Sequence, residues 1–179
     1  MPMLVEPTTA VHRSFLEAWD ELRSSEVRWM GASGFRESWS RDRAEDPGEF
    51  ARLVEAIRAD ADESVPTPAD LVHQTVLWFV DNGVDWLGRL SIRHTLTPAL
   101  HELGGHIGYC VRPSARRRGH ATQMLHQSLP IAARLGIDPA LVTCDSGNDA
   151  SRKVILAAGG ELEDERHGKL RFWVATRMS

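Results

Sequence analysis

The stretch Gly105–Ala121, which reads GHIGYCVRPSARRRGHA, decides how the rest of the chain is expected to fold. Its first residues alternate between larger and smaller side chains, and this period of two predicts a short strand from His106 to Val111. Pro113 lacks an amide hydrogen and biases Arg112 away from helical geometry, so we expect the strand to end there. A basic turn follows, because consecutive arginines come directly before a glycine.

Beyond Gly119 the apolar side chains recur at helical spacing until Gly136, which predicts a helix directly after the turn. The amides at the start of a helix point outward, the helix dipole favours an anion, and a turn can gather further amides beside them. A side chain at Gly119 would keep a ligand away from this backbone. The stretch therefore predicts a site for a phosphate-bearing ligand, and the alternative is a solvated basic turn.

The motifs of two common phosphate sites are missing from this turn. No Gly-Lys-Ser/Thr follows it, as a P-loop would require, and the dinucleotide pattern Gly-x-Gly-x-x-Gly is absent. The turn resembles instead the acetyl-CoA signature of the GNAT acetyltransferases, (Gln/Arg)-x-x-Gly-x-(Gly/Ala). Arg116, Gly119 and Ala121 fill that pattern, and Val111 and Pro113 match the Val-x-Pro that precedes it in the family.

A second motif lies downstream, where Asn148-x-x-Ser151 opens another predicted helix. The resemblance implies that this helix lies beside the pantetheine arm of acetyl-CoA. From the residues alone, Asn148 either caps the helix or bonds a ligand, and Ser151 either bonds its own backbone or reaches the cofactor. Many relatives have a tyrosine at the position of Ile155 as general acid toward the departing thiolate. The single tyrosine of the chain, Tyr109, substitutes for it, or water does, or the thiolate leaves unaided.

The resemblance implies transfer of an acetyl group from acetyl-CoA to a primary amine of a small molecule or peptide, by direct attack in a ternary complex. It implies acetyl-CoA as cosubstrate, and the scattered histidines, without a metal-binding motif, predict no metal. The residues expected to bind the cofactor are Val111, Arg112, Pro113, Arg116, Arg117, Arg118, Gly119, His120, Ala121, Thr122, Asn148 and Ser151.

The chemistry needs a base, because a free alkylammonium has a pKa of about 10 and must lose a proton before it attacks. His106, Asp145 and Glu102 are the candidates, with a structural hydrogen bond, a helix cap and a solvated side chain as the respective alternatives. Tyr109 completes the expected catalytic residues. A backbone amide at Val111 or Arg112 is expected to polarise the acetyl carbonyl, where the family splays its central strand.

Composition excludes several classes of protein. A length of 179 residues fits one domain, and 42% hydrophobic and 26% charged residues are ordinary for a globular chain. The net charge of −4 argues against a nucleic-acid-binding protein. No apolar run approaches the roughly 20 residues that span a bilayer, and no secretion signal is visible, so we expect a cytoplasmic protein without membrane contact. The histidines are scattered, and Cys110 and Cys144 are expected to be buried free thiols rather than metal ligands.

The element order is similar to that of the GNAT fold along the whole chain. It implies an α/β (α+β) fold: a mixed, mostly antiparallel central sheet flanked by helices, with a splayed central parallel strand pair. Asp46, Pro47 and Glu49 mark a helix start with a capping box, and Asn82-Gly83 marks a hairpin. Three aromatic residues in an aperiodic loop either anchor to the domain or line a substrate pocket, namely Trp29, Phe35 and Trp39. We expect a single domain over residues 1–179, with its cofactor-binding core at about 105–160.

Two other functions remain open. A domain with the same fold can bind acyl-CoA as a sensor or interaction module without catalysis, and the missing tyrosine at Ile155 motivates this alternative. A module that reads nucleic-acid phosphates through Arg116–Arg118 is opposed by the acidic balance of the chain. The expected partner is therefore an amine acceptor, with no nucleic acid and no membrane, and a homodimer is possible because many relatives dimerise.

Overall fold

In the part of the chain that the structure describes, seven strands form one sheet in the order β1-β2-β3-β4-β5-β7-β6. This computed structural model describes residues 1–23, 39–68 and 71–177. The strands are β1 (Met3–Val5), β2 (Gln74–Asp81), β3 (Asp85–Arg93), β4 (Ile107–Val111), β5 (Ala140–Asp145), β6 (Glu161–Arg166) and β7 (Lys169–Val174). The α-helices of the described ranges are α1 (His12–Arg23), α2 (Arg41–Glu45), α3 (Pro47–Ala59), α4 (Pro98–Leu103), α5 (His120–Arg134) and α6 (Asp149–Ala157). Short 3-10 helices lie at Thr9–Val11 and Pro113–Ala115.

The central strands β4 and β5 run parallel, whereas all other neighbouring pairs in the sheet are antiparallel. Their pairing is confined to Ile107 and Val142. The rest of β4 continues beside β3 and leaves β5, which opens a gap between the two strands at their carboxyl ends. The mixed, mostly antiparallel sheet with a splayed parallel pair is therefore confirmed.

Helices pack on both faces of the sheet, because side chains alternate along each strand. Trp78 belongs to the core under α1 and α3, and its neighbour Phe79 belongs to the core under α5 and α6. Trp39 is 8% exposed within the first core, so it serves as an anchor. Trp29 and Phe35 lie outside the described residues.

Local signals place two elements where the sequence predicts them. The Asp46 carboxylate accepts the Glu49 amide at 2.9 Å and caps α3, with Pro47 as its first residue. The Glu49 side chain does not complete the box; it accepts instead from Arg43 at 2.5 Å and from Arg52 at 2.9 Å. The hairpin between β2 and β3 turns at Asn82-Gly83, both at positive φ. In the described ranges, none of the helices has the length and apolar character to cross a bilayer.

Candidate functional site

A cavity of about 610 Å³ opens where β4 and β5 part. Its wall is formed by the end of β4, the following turn, the first turn of α5, the end of β5 and the start of α6. Most residues predicted to bind the cofactor line it, namely Val111, Arg116, Arg117, Gly119, His120, Ala121, Thr122, Asn148 and Ser151. Tyr109 and Asp145, two of the predicted catalytic residues, also lie in its wall. The structure thus brings the two sequence motifs together around one space.

The turn between β4 and α5 divides its amides into two groups. The Arg112 amide donates to the Leu87 carbonyl at 2.9 Å, and the Ser114 amide donates to the Glu21 carboxylate at 3.0 Å. The next two amides close the short 3-10 helix. From Arg117 to Thr122, by contrast, no amide finds an acceptor among the described residues. A run of consecutive N–H groups beside the cavity is therefore left for an external acceptor.

The backbone of this turn is shaped to point those amides together. Arg117 has φ 63 and Gly119 has φ 78, so both are left-handed, and such turns gather successive amides into an anion-binding concavity. Gly119 precedes the first residue of α5, where the helix dipole adds partial positive charge. A Cβ built on Gly119 would meet no heavy atom within 4 Å, so the space in front of it is open.

The arginines of the turn have different surroundings. Arg116 and Arg117 line the cavity, and the Arg116 Nε donates to the Val111 carbonyl at 3.1 Å. Arg118 is exposed and, like Pro113, lies outside the cavity lining. The Arg112 side chain is only 11% exposed and is directed to Glu21, so it also lies away from the cavity.

The strand alternation shows which β4 amides face the gap. Because the Arg112 amide points to β3, the amides of Val111 and Tyr109 point to the opposite side, toward β5. No β5 residue pairs with either position, since the pairing stops at Ile107. Of the two amides predicted to polarise a carbonyl, Val111 therefore has the required direction and Arg112 does not.

Tyr109 and Ser151 form a hydroxyl pair in the cavity wall. Tyr109 Oη and Ser151 Oγ share a hydrogen bond of 2.6 Å. Burial raises the pKa of Tyr109 to about 12, and the bond to Ser151 only partly opposes this shift. Both hydroxyls are therefore protonated near neutral pH. The sequence patterns did not predict this contact, because it joins the middle of a strand to the first turn of a distant helix.

Asn148 and Asp145 lie in the part of the wall formed by the end of β5 and the start of α6. The Asn148 side-chain oxygen accepts the Ser151 amide at 3.0 Å and so caps α6, and Asn148 also lines the cavity. The Asp145 carboxylate accepts from Lys169 Nζ at 2.5 Å and is 68% exposed. This carboxylate is therefore open to solvent.

His106 and Glu102 lie outside the cavity lining. The Leu141 amide donates to His106 Nδ1 at 2.9 Å, which places the proton of a neutral ring on Nε2. Burial, with Arg93 and His101 nearby, lowers the pKa of His106 to about 4. Glu102 accepts from Arg166 at 2.7 Å. Both side chains thus have structural partners in the fold.

We expect His106 to make the folded chain less stable in mild acid. Its pKa is lowered to about 4, so in mild acid this histidine binds a proton in the unfolded chain but not in the folded chain. Stability present above about pH 6.5 is then lost as the pH falls toward about 4. His106→Asn keeps an acceptor near the Leu141 amide but does not titrate. Denaturant unfolding at about pH 7 and about pH 5 should show a larger loss in the wild type than in the variant, and equal losses would contradict this assignment.

Metal ligands are not clustered in the described part of the chain, where no group of at least three His, Cys, Asp or Glu side chains is placed to hold an ion. Cys144 is a buried free thiol, as expected, and Cys110 is a half-buried one beside the cavity.

Comparison with known proteins adds a family and a set of folds. A family model described as acetyltransferase (GNAT) domain matches residues 13–161. A search of curated proteins finds no match.

Several solved structures share the fold. RimJ of Mycobacterium smegmatis, in complex with CoA-disulfide, is 16% identical with a TM-score of 0.66, covering 97% of this chain and 81% of its own. The putative acetyltransferase yncA of Salmonella typhimurium, with its cofactor acetyl-CoA, is 15% identical with a TM-score of 0.57, covering 99% of this chain and 95% of its own. Mutant forms of the spermidine/spermine N-acetyltransferase SpeG of Vibrio cholerae are 11% identical with a TM-score of 0.58, covering 98% and 95%.

Proposed function

Because the chain belongs to the GNAT acetyltransferase family, we propose that it transfers an acetyl group from acetyl-CoA to a primary amine of a small molecule or peptide. The observation that carries this proposal is the run of backbone amides from Arg117 to Thr122, which lie at the edge of the cavity and have no hydrogen-bond acceptor among the described residues. An anion with several oxygens is the ligand that such amides accept. The reaction is direct attack by the amine within a ternary complex.

Acetyl-CoA fits the chemistry of the donors that surround the cavity. The amides of Arg117–Thr122 would hold its diphosphate, and the guanidinium groups of Arg116 and Arg117 would add charge-assisted contacts. Asn148 and the unpaired β4 backbone would bond the peptide-like groups of the pantetheine arm. The cosubstrate supplies an activated acetyl group, and the protein supplies position and polarisation.

The Val111 amide, with that of Tyr109, is the donor available to the acetyl carbonyl. Both point into the gap between β4 and β5, where the carbonyl oxygen would gain negative charge during attack. One preorganised donor of this kind is typically worth about 10²–10³ in rate. Backbone geometry therefore accounts for much of the rate enhancement without a diagnostic side chain.

The hydroxyl pair provides the proton for the departing thiolate. Ile155 is fully buried and has no proton to give. Ser151 Oγ and Tyr109 Oη both line the cavity and share one hydrogen bond, so either can donate while the other stabilises the oxygen left behind. We assign the general-acid role to this pair.

Asp145 is the candidate base that remains at the cavity, since His106 and Glu102 lie outside its lining. Its carboxylate would accept the proton of the acceptor ammonium, directly or through one water molecule. Lys169 donates to the same carboxylate and holds it in position.

Turnover distinguishes this function from the sensor alternative, which the buried Ile155 favours. We expect release of free CoA thiol when acetyl-CoA is incubated with an amine panel that contains spermidine, amino acids and peptides with free N-termini. The reason is that the proposed proton donor, the proposed hydrogen-bond donor to the acetyl carbonyl and the proposed base all line the same cavity. A thiol-reactive dye measures the rate, and each amine without protein is the control. Binding of acetyl-CoA without turnover on any amine would support the sensor and contradict the enzyme.

A further inference from the structure

Glu21, on the last turn of α1, is bonded to the segment that precedes the anion site. One carboxylate oxygen accepts from Arg112 Nε at 3.0 Å, from Arg112 Nη2 and from the Ser114 hydroxyl at 2.9 Å. The other oxygen accepts the Ser114 amide at 3.0 Å. A single side chain therefore fixes both the side chain and the backbone of the corner where β4 ends.

Arg112 extends this network into the fold. Its Nη1 donates to the Ser14 hydroxyl at 3.1 Å and to the Trp86 carbonyl at 3.2 Å. The Ser14 hydroxyl accepts the Trp86 amide at 2.9 Å in turn. The corner is thereby joined to α1 and to β3, two elements that contribute no residue to the cavity lining.

These hydrogen bonds lie just before the amides that would bind the ligand, so they can affect how tightly it binds. They hold residues 112–114, and the amides without acceptors begin at Arg117, after the single 3-10 turn that Pro113–Ala115 forms. Rotation of that short turn would carry the amides of Arg117–Thr122 away from a common point. Hydrogen bonds weaken steeply as they depart from linearity, so amides turned away from the diphosphate would bind it less tightly.

We propose that Glu21 is a positioning residue for acetyl-CoA, acting through Arg112 and Ser114 to hold the turn in the shape that directs its free amides at the diphosphate. This inference rests on the proposed function. It also gives Arg112 a role different from the expected contact with the cofactor: Arg112 supports the turn from outside the cavity lining.

The ionised form of Glu21 is the one that performs this role. Burial opposes ionisation, but the hydrogen bonds from Arg112 and Ser114 outweigh it and lower the pKa of Glu21. A glutamine at this position lacks the charge and replaces one acceptor oxygen by an NH2 group that only donates, so either Arg112 or the Ser114 amide loses its acceptor. Glu21→Gln therefore tests the contact with little change in volume.

Calorimetry with acetyl-CoA measures the effect, and Glu49→Gln is the matched control. Glu21 and Glu49 are 26% and 28% exposed, and each accepts from arginine, but Glu49 lies on α3 away from the cavity lining. We expect Glu21→Gln to raise the Kd of acetyl-CoA about tenfold, which is the effect of losing about one hydrogen bond to a charged group. We expect Glu49→Gln to leave that Kd within about twofold, because its bonds are local to α2 and α3.

A truncated thioester separates positioning from general damage. Acetyl-pantetheine lacks the diphosphate, so its kcat/KM should be the same in the wild type and in Glu21→Gln, while the KM for acetyl-CoA rises and kcat changes little. If Glu21→Gln fails to fold, Ser114→Ala loses only the hydroxyl contact and should raise the Kd about threefold.

The possible results distinguish failure of the proposed function from failure of the positioning role. A wild-type protein that does not bind acetyl-CoA overturns the proposed function. A wild-type protein that binds, together with an unchanged Kd in Glu21→Gln or in Ser114→Ala, overturns the positioning role alone. Equal weakening by Glu21→Gln and Glu49→Gln, or loss of activity on acetyl-pantetheine, also overturns it, because the effect would then be general.

Discussion

Gly119→Glu is expected to abolish acetyl-CoA binding, with a loss of affinity of at least about 100-fold, or about 2.7 kcal/mol. Two effects act together. The carboxylate would stand beside the amides of Arg117–Thr122 and repel the diphosphate they are placed to accept. A side chain at φ 78 is also strained and would occupy the open space in front of the turn. Isothermal titration calorimetry measures the loss.

Gly136→Glu is the control for this variant. Gly136 follows the other end of α5, has φ 80, and likewise has no heavy atom within 4 Å of a built Cβ. Both variants should lose similar stability because they place glutamate at the same backbone conformation. Only Gly119→Glu should lose affinity. Unchanged binding in Gly119→Glu, or equal losses in both, would contradict a diphosphate site at the turn.

Removing the hydroxyl pair is expected to lower kcat about 10²-fold without weakening acetyl-CoA binding. Ser151→Ala and Tyr109→Phe each remove one partner of the 2.6 Å bond, and the phenylalanine keeps the ring in the cavity wall. The reason is that the thiolate then leaves without its proton. Because burial raises the pKa of Tyr109 to about 12, the wild-type donor stays protonated up to about pH 10, and its ionisation should not reduce kcat below that pH.

Steady-state kinetics with saturating acetyl-CoA checks this expectation. Ser128→Ala is a suitable control, because it removes a buried hydroxyl that donates to the Leu125 carbonyl at 2.7 Å on α5, outside the cavity lining. Its kcat should match the wild type. If both pair variants keep full kcat, or if their defect is a higher Kd for acetyl-CoA, the general-acid role is wrong.

Local patterns in the sequence are sufficient to predict the elements that frame the site. Pro113 ends β4, Gly119 precedes α5, and Asn148 caps α6, each because one residue type favours one backbone conformation. The splayed parallel pair followed from the resemblance, since no periodicity reveals which strands diverge. The phosphate-type turn could be predicted because its signal is contained within a few residues.

Contacts between distant residues could not be predicted in the same way. Glu21 and Arg112 are separated by 91 positions, and Tyr109 and Ser151 by 42. The sequence patterns therefore give no indication of the role of Glu21, and they predict that Arg112 contacts the cofactor. His106 is a reasonable base by residue type, but the strand register places its Nδ1 against the Leu141 amide and outside the cavity lining, and burial lowers its pKa, which weakens it as a base.

Whether the turn holds the diphosphate is tested most directly by following the backbone amide resonances of Arg117–Thr122 in a labelled protein during titration with CoA. These amides have no acceptor among the described residues, so they should shift and saturate together as they gain one. The amides of Ser114–Arg116, already bonded within the protein, should move less, and pantetheine without a diphosphate should leave both groups unmoved. Resonances of Arg117–Thr122 that stay in place with CoA, or shift equally with pantetheine, would contradict the site.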